Sequence, residues 1–320
     1  MIKVGIIGGA GYTAGELIRI LLNHPQACIT FIQSTSQAGL PITDVHTDLV
    51  GDTQLAFTSE VDYTVDVLFL CMGHGRSRSF VDSLPETYNG KIIDLSHDFR
   101  LKDQANGFVY GLPELNKQSI ATANKIANPG CFATAIQLAL LPLAKAKQLH
   151  EIHIHAITGS TGAGQAATPT THFSWRTNNV SVYKSFEHQH LSEIGESLQQ
   201  LQPNFDDAIN FVPLRGNHPR GILASVYIES QLSEAEAQSL FEQYYAEHPF
   251  TLVVGSNPDI KQVVNTNKSL VYVKKHNNKI HIISVIDNLL KGASGQAVQN
   301  MNLLFGLDEA VGLQLKSVAF

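Results

Sequence analysis

Apolar runs that alternate with helical periods, a glycine-rich turn joining the first strand to the first helix, and a strand-rich second half together predict an α/β protein. They predict a doubly wound, Rossmann-type N-terminal domain and a second domain of α+β type. Residues 2–8 form a short apolar run ending in glycines, which reads as a buried parallel strand. From residue 13 to 23, Leu17, Ile18, Leu21 and Leu22 recur at helical spacing, and Pro25 stops them. Residues 27–33, 65–72 and 91–95 are the next strands. Beyond residue 131 the character changes. Residues 133–149 read as a strong helix that tolerates Pro142, and 151–158 alternate as a strand does. Further strands are expected at 209–213, 221–228, 270–274 and 279–286. Ser233 and Glu236 form a capping box that opens a helix over 233–247, and 293–304 is helical again. The expected domains are 1–130 and 131–290, with a C-terminal helix in 291–320 completing the first.

The chain has 320 residues, enough for two domains with substantial cores, and 43% of them are hydrophobic against 16% charged. Its net charge is 22 − 28 = −6. That balance argues against nucleic acid or an anionic membrane as partner, since both want a basic surface. Cys28, Cys71 and Cys131 are odd in number and widely spaced, so neither a disulfide framework nor a zinc pattern is expected. No metal site is expected. The first residues enter a strand directly and no apolar stretch is long enough to span a bilayer, so a cytoplasmic location is expected.

Two motifs carry chemistry. In the first, Gly8, Gly9, Gly11 and Gly15 lie between the first strand and first helix. A dinucleotide-binding turn needs glycine there, because the backbone turns tightly and approaches a pyrophosphate seated on the helix N-terminus. The alternative is a plain tight turn between strand and helix. Gly8, Gly11, Tyr12 and Thr13 are the candidate cofactor contacts. No carboxylate follows the second strand; Ser34, Thr35 and Ser36 stand there instead. A carboxylate would repel a 2′-phosphate and hydroxyls can bind one, which favours NADP over NAD, with Arg76 as a source of positive charge. In the second motif, Asn128-Pro129-Gly130-Cys131 puts a thiol at the start of a helix, where the helix dipole favours a thiolate and hence a nucleophile. Cys28 and Cys71 sit in apolar strand runs and read as structural. His153 and His155 alternate on a strand and read as one side of a sheet.

The chain resembles the N-acetyl-γ-glutamyl-phosphate reductases over nearly its whole length. The resemblance rests on GGAGYTAGEL from Gly8, DLSHDFRL from Asp94, VYGLPELN from Val109, NPGCFATA from Asn128, TGSTGAG from Thr158, HQHLSEI from His188 and DNLLKGASGQAVQNMNLLFG from Asp287. It implies an NADPH-dependent oxidoreductase of arginine biosynthesis, with an α+β catalytic and dimerisation domain and a homodimeric or homotetrameric assembly. Its substrate would be a small-molecule acyl phosphate. Cys131 would attack that acyl phosphate, phosphate would leave, and the thioester would be reduced to the aldehyde. By the same resemblance His190 is the acid/base, His188 lines the site and Glu193 orients an imidazole. Arg100 would bind phosphate and Arg220 the substrate's carboxylate or acyl cap. Gly162, in a glycine loop, and Asn288 would lie on the cofactor side. The chain departs from the family pattern in two places. Gln165 stands where an arginine is usual, and Leu214-Arg215-Gly216-Asn217-His218-Pro219 adds polar groups ahead of Arg220. The second departure leaves the acyl group open, with N-succinyl- or carrier-linked glutamyl phosphate as alternatives. Aspartate-semialdehyde dehydrogenase is a rival of like chemistry, and a non-catalytic NADP sensor is the rival from another class.

Overall fold

The structure, a computed structural model, describes residues 1–73 and 75–318. The chain divides into two compact units. One comprises Met1–Pro129 with Ala293–Gln314, and the other Gly130–Gly292 with residues 315–318.

The first unit holds β1 (Ile2–Ile7), α1 (Tyr12–Leu22), β2 (Ala27–Gln33), β3 (Val67–Leu70), α2 (Ser77–Asp82), β4 (Lys91–Asp94), β5 (Val109–Tyr110), α3 (Pro113–Thr122) and β6 (Lys125–Ala127). The six strands are parallel in the order β2-β1-β3-β4-β6-β5. Val4, Ile6, Val67, Leu68 and Phe69 are fully buried, because a parallel sheet is covered on both faces and its central strands can be apolar throughout. The strand order reverses between β1 and β3. A crevice at such a reversal, outside the C-terminal strand ends, is where doubly wound sheets take their ligands. The expected strand at 65–72 pairs only over Val67–Leu70. Helix α3 was not expected: Pro113 occupies its first turn, and its polar sequence carries no apolar period.

In the second unit, α4 (Cys131–Lys145), β7 (Ile152–Thr158), α5 (Phe173–Arg176), β8 (Ser181–Val182) and α6 (His190–Leu201) are followed by β9 (Ile209–Arg215), β10 (Ile222–Glu229), α7 (Glu234–Tyr245), β11 (Thr251–Val253), β12 (Ser269–His276) and β13 (Lys279–Ile286). Its seven-stranded sheet is mixed, in the order β11-β12-β13-β10-β7-β9-β8. On β7 and β10, Ile152, Ile154, Ala156, Ile222, Ala224 and Val226 are fully buried, whereas His153 is half-buried and His155 exposed. The histidines thus share one side of the sheet, as their alternation implies. Helix α4 is the core of the unit, with Phe132 to Ala144 all buried. It begins at Cys131 itself and ends before residue 149, where Lys147 takes a left-handed φ of 59°. Pro142 has no N–H for the carbonyl of Leu138, and the Tyr245 hydroxyl donates to that carbonyl at 2.6 Å instead.

The last helix, α8 (Gly295–Leu304), returns to the first unit, and all ten of its residues are buried. Asn300 donates to the carbonyl of Gly111 (2.8 Å) and to the Asn128 side chain (3.1 Å), and the Ser294 hydroxyl donates to the carbonyl of Thr13 (2.7 Å).

Candidate active site

Cys131 is the first residue of α4 and is only partly buried. Gly130 precedes it as an extended N-cap with no side-chain cap, and the first turn contains no acid. The amide dipoles of this helix start therefore lie at the thiol. Gly292 closes the other side. A Cβ at Gly292 would lie 2.9 Å from the Cβ of Cys131, so only glycine admits the thiol where it stands.

Glu193 ties the thiol's helix to the histidine motif. One of its carboxylate oxygens accepts from the Gly130 amide at 3.1 Å, and the other lies 3.7 Å from Nε2 of His190. His190 is the first residue of α6 and Glu193 stands one turn on, so the pair faces the same way by helical spacing. Gln137 of α4 donates to the Glu193 carbonyl (3.2 Å) and to the Ser197 hydroxyl (3.1 Å), which locks α6 against α4. His188 packs edge-on to Phe132 and lies 4.6 Å, ring to ring, from His190. Its Nδ1 accepts from the His190 amide, which leaves its proton on Nε2. Burial, and then the charges of Lys184 and Arg215, push the His188 pKa down to about 4. His188 is therefore neutral at pH 7, a wall and hydrogen-bond donor rather than a cation. Tyr183 packs on the far side of His188 at 5.8 Å. Burial holds its phenol above the usual range while the Arg215 charge opposes that, and the charge of Cys131 acts on it as well.

Two loops are zipped together around the start of β10. The Gly159 amide donates to the Gly221 carbonyl, and Thr161 gives both its amide and its hydroxyl to the Pro219 carbonyl. Asn288 completes the tie: its oxygen accepts from the Gly221 amide (2.8 Å) and its amide donates to Thr161 (2.9 Å). Gly162 lies in the short 3₁₀ turn Ser160–Ala163. Arg220 is ion-paired with fully buried Asp287 at 3.0 Å, and Asp287 also accepts from the amides of Asn265, Leu289 and Leu290.

In the first unit, Gly8 takes a left-handed φ of 82° and lies against the Cys71 backbone, and Gly8 and Gly9 both give their amides to the Gln33 carbonyl. Those two glycines build the turn. The open amides belong to the first turn of α1, Tyr12 and Thr13 among them, because Gly11 is an extended N-cap without a side-chain cap. A Cβ at Gly11 would meet nothing within 4 Å, so there is free space at that helix end for a phosphate group. Buried His46, which the sequence reading missed, bonds the Gly9 carbonyl at 2.8 Å and fills the place a side chain at Gly15 would need. Its signal is hidden because the contact spans 37 residues. Beyond β2, Ser34 is buried and gives its amide to Thr58, while Ser36 is exposed, as is Arg76 ahead of α2. Arg100 is almost wholly buried, and its guanidinium donates to the carbonyls of Asn128 (2.9 Å) and Leu95 (3.2 Å). The Cys71 thiol of this unit is pushed up to about 12, by burial first and the Asp94 charge second.

Comparison with known proteins gives the family of the chain. Residues 3–123 match the family described as semialdehyde dehydrogenase, NAD binding domain, and residues 131–288 match semialdehyde dehydrogenase, dimerisation domain. The N-acetyl-gamma-glutamyl-phosphate reductase of Parabacteroides distasonis is 58% identical over the whole of both chains, and that of Bacteroides fragilis strain ATCC 25285 is 57% identical, again over both full lengths. Among solved structures, aspartate semialdehyde dehydrogenase II from Vibrio cholerae shares the fold with a TM-score of 0.76 at 18% identity, over 96% of this chain and 99% of that one. The Candida albicans aspartate semialdehyde dehydrogenase with NADP has a TM-score of 0.72 at 14% identity, over 95% and 99%.

Proposed function

The chain belongs to the N-acetyl-gamma-glutamyl-phosphate reductases of the semialdehyde dehydrogenase family, and from that membership we propose how its residues carry the reaction. It reduces N-acetyl-γ-glutamyl phosphate to N-acetylglutamate 5-semialdehyde and phosphate, a step of arginine biosynthesis. The observation that carries the residue assignment is the thiol at a helix start that Glu193 ties to an imidazole.

The Cys131 thiolate attacks the acyl carbon, the C–O bond to phosphate breaks, and inorganic phosphate departs from the resulting thioester. A reduced nicotinamide, when bound, would supply a hydride, and the thioester carbonyl carried on Cys131 would accept it to give a hemithioacetal. His190 takes the thiol proton at the outset and protonates the developing oxygen anion afterwards, and collapse of the hemithioacetal releases the aldehyde and the thiol. Glu193 holds the imidazole of His190 in orientation, and neutral His188 lines the pocket. Arg100, whose guanidinium is pinned by two carbonyls, receives the phosphate. Arg220, paired to Asp287, stiffens the loop that Asn288 ties.

The cofactor is a nicotinamide dinucleotide, and on our reading it is NADPH. The first turn of α1 would hold the pyrophosphate, and the absence of a carboxylate after β2 favours a 2′-phosphate, with Ser34, Ser36 and Arg76 as its proposed contacts. The same reading places the enzyme in the cytoplasm as a homo-oligomer. The description of residues 131–288 as a dimerisation domain supports the oligomer, as does a sheet face that leaves Ile157, Leu223 and Tyr272 half-buried. Among the described residues no helix is long and apolar enough to cross a membrane.

The test is the reverse reaction, with N-acetylglutamate semialdehyde, phosphate and NADP supplied and NADPH absorbance followed. Phosphate-dependent NADPH formation is expected, with a loss of at least about 10³-fold in Cys131→Ser. Activity that survives this substitution would refute the thioester route, and an equal rate with NAD would refute the cofactor preference.

A further inference from the structure

Arg215 closes β9 in the second unit. Its guanidinium carbon lies 4.6 Å above the ring of Tyr183, the aromatic side chain that also feels the charge of Cys131. Arg176 fixes the backbone beneath it by donating to the Arg215 carbonyl at 2.8 Å, while its other donors reach Thr170, Asn179 and Ser181. The Arg215 Nε is fully buried and has no hydrogen-bond acceptor, and among the described residues no carboxylate lies within 4 Å of the guanidinium. The neighbourhood is instead positive. The Arg215 charge disfavours the charged forms of both Arg176 and His188, and Lys184 adds to the effect on His188. Arg220 differs in charge balance, because its guanidinium has the Asp287 carboxylate at 3.0 Å. A half-buried guanidinium fork with a vacant donor, surrounded by positive charge and one aromatic ring from the nucleophile's neighbourhood, is complementary to a planar anion.

We propose that Arg215, seated on Tyr183, is the carboxylate-recognition residue for the substrate and sets which N-acylated glutamyl derivative is accepted. This rests on the acyl-phosphate reading above and deepens it. A carboxylate is available from two sources, the α-carboxylate of the glutamyl unit and the distal carboxylate of a dicarboxylic acyl cap. Both lie away from the reacting carbon.

The experiment measures kcat and KM of the reverse reaction for wild type, Arg215→Gln and Arg215→Lys on three aldehydes. These are N-acetylglutamate semialdehyde, 4-acetamidobutanal (which lacks the α-carboxylate) and N-succinylglutamate semialdehyde (which adds one on the cap). If Arg215 reads the α-carboxylate, Arg215→Gln loses about 100-fold in kcat/KM on the acetyl substrate, chiefly through KM, and little on 4-acetamidobutanal. If it reads the cap, wild type prefers the succinyl substrate and Arg215→Gln abolishes that preference alone. In either case Arg215→Lys recovers part of the loss and KM for phosphate stays within about threefold. Substrate ratios unchanged in Arg215→Gln would overturn the proposal. So would a rise in KM for phosphate alone, or a shift in the pH dependence of Cys131 alkylation with ratios intact, which would assign the charge to the thiolate. Wild-type silence on all three aldehydes would instead sink the reductase reading and the proposal with it. Matching thermal midpoints confirm that the variants are folded.

Discussion

Gly292 and His188 show how much of this site is set at single residues. A methyl at Gly292 would press on the Cβ and Cα of Cys131 at 2.9 and 3.3 Å, so the thiol or the turn carrying Gly292 must shift. A displacement of about 1 Å at a reacting atom can cost 10²-fold in rate. Gly292→Ala is expected to lower kcat by roughly 10- to 100-fold, with a stability loss of about 1–3 kcal/mol from overpacking. Steady-state rates and thermal midpoints check both numbers. His188 sets a pH dependence. Its folded pKa is held down to about 4 against an ordinary value of 6.5, so between those values the unfolded chain binds the extra proton. The stability it contributes is complete above pH 6.5 and is lost as pH falls toward 4. The midpoint of wild type is expected to drop more steeply over this window than that of His188→Gln, and parallel slopes would remove His188 from the account.

At the scale of elements, α4 is the piece on which the second unit is built, and two distant residues repair or anchor it. Pro142 breaks its hydrogen-bond ladder, and the Tyr245 hydroxyl from α7 satisfies the orphaned Leu138 carbonyl. Tyr245→Phe removes that donor while keeping the ring, and is expected to cost about 1–3 kcal/mol, because a buried carbonyl is left without a partner. In Tyr245→Phe combined with Pro142→Ala the helix can supply its own N–H, so chemical denaturation should return much of the loss. The other anchor is Glu193, which joins the start of α4 to α6 across 63 residues. Glu193→Ala is expected to lower activity by about 10²-fold, and a changed pH–rate profile would distinguish lost imidazole orientation from lost packing.

Across the whole molecule, the first unit is assembled from two stretches far apart in the chain. Helix α8 comes from beyond residue 292, is buried along its full length, and places Asn300 against Gly111 and Asn128. A chain ended at residue 292 would expose the apolar and amide surface that α8 covers. Such a chain is expected to lose the first unit's protection in hydrogen exchange and to precipitate, whereas exchange in α4 and β10 within the second unit is retained longer. Retained protection of β1 and β3 would show that α8 is dispensable.

Much of this was legible in residues that neighbour one another in sequence. The glycine turn, the Pro-Gly-Cys helix start and the His188–Glu193 helix entry are local, since a tight turn, a helix N-terminus and a spacing of one turn are fixed by backbone sterics and periodicity. The parallel strands were legible because burial on both faces leaves continuous apolar runs. What only the tertiary structure decided depends on loop closure over long separations, which no local pattern records. The sequence offers Arg215 and Arg220 as two similar guanidiniums five residues apart, and it is the end of β13, delivering Asp287 to Arg220, that separates their roles. In the same way α3 was missed because its polar sequence is made helical by contact with its own unit, and His46 because its glycine partner lies 37 residues away.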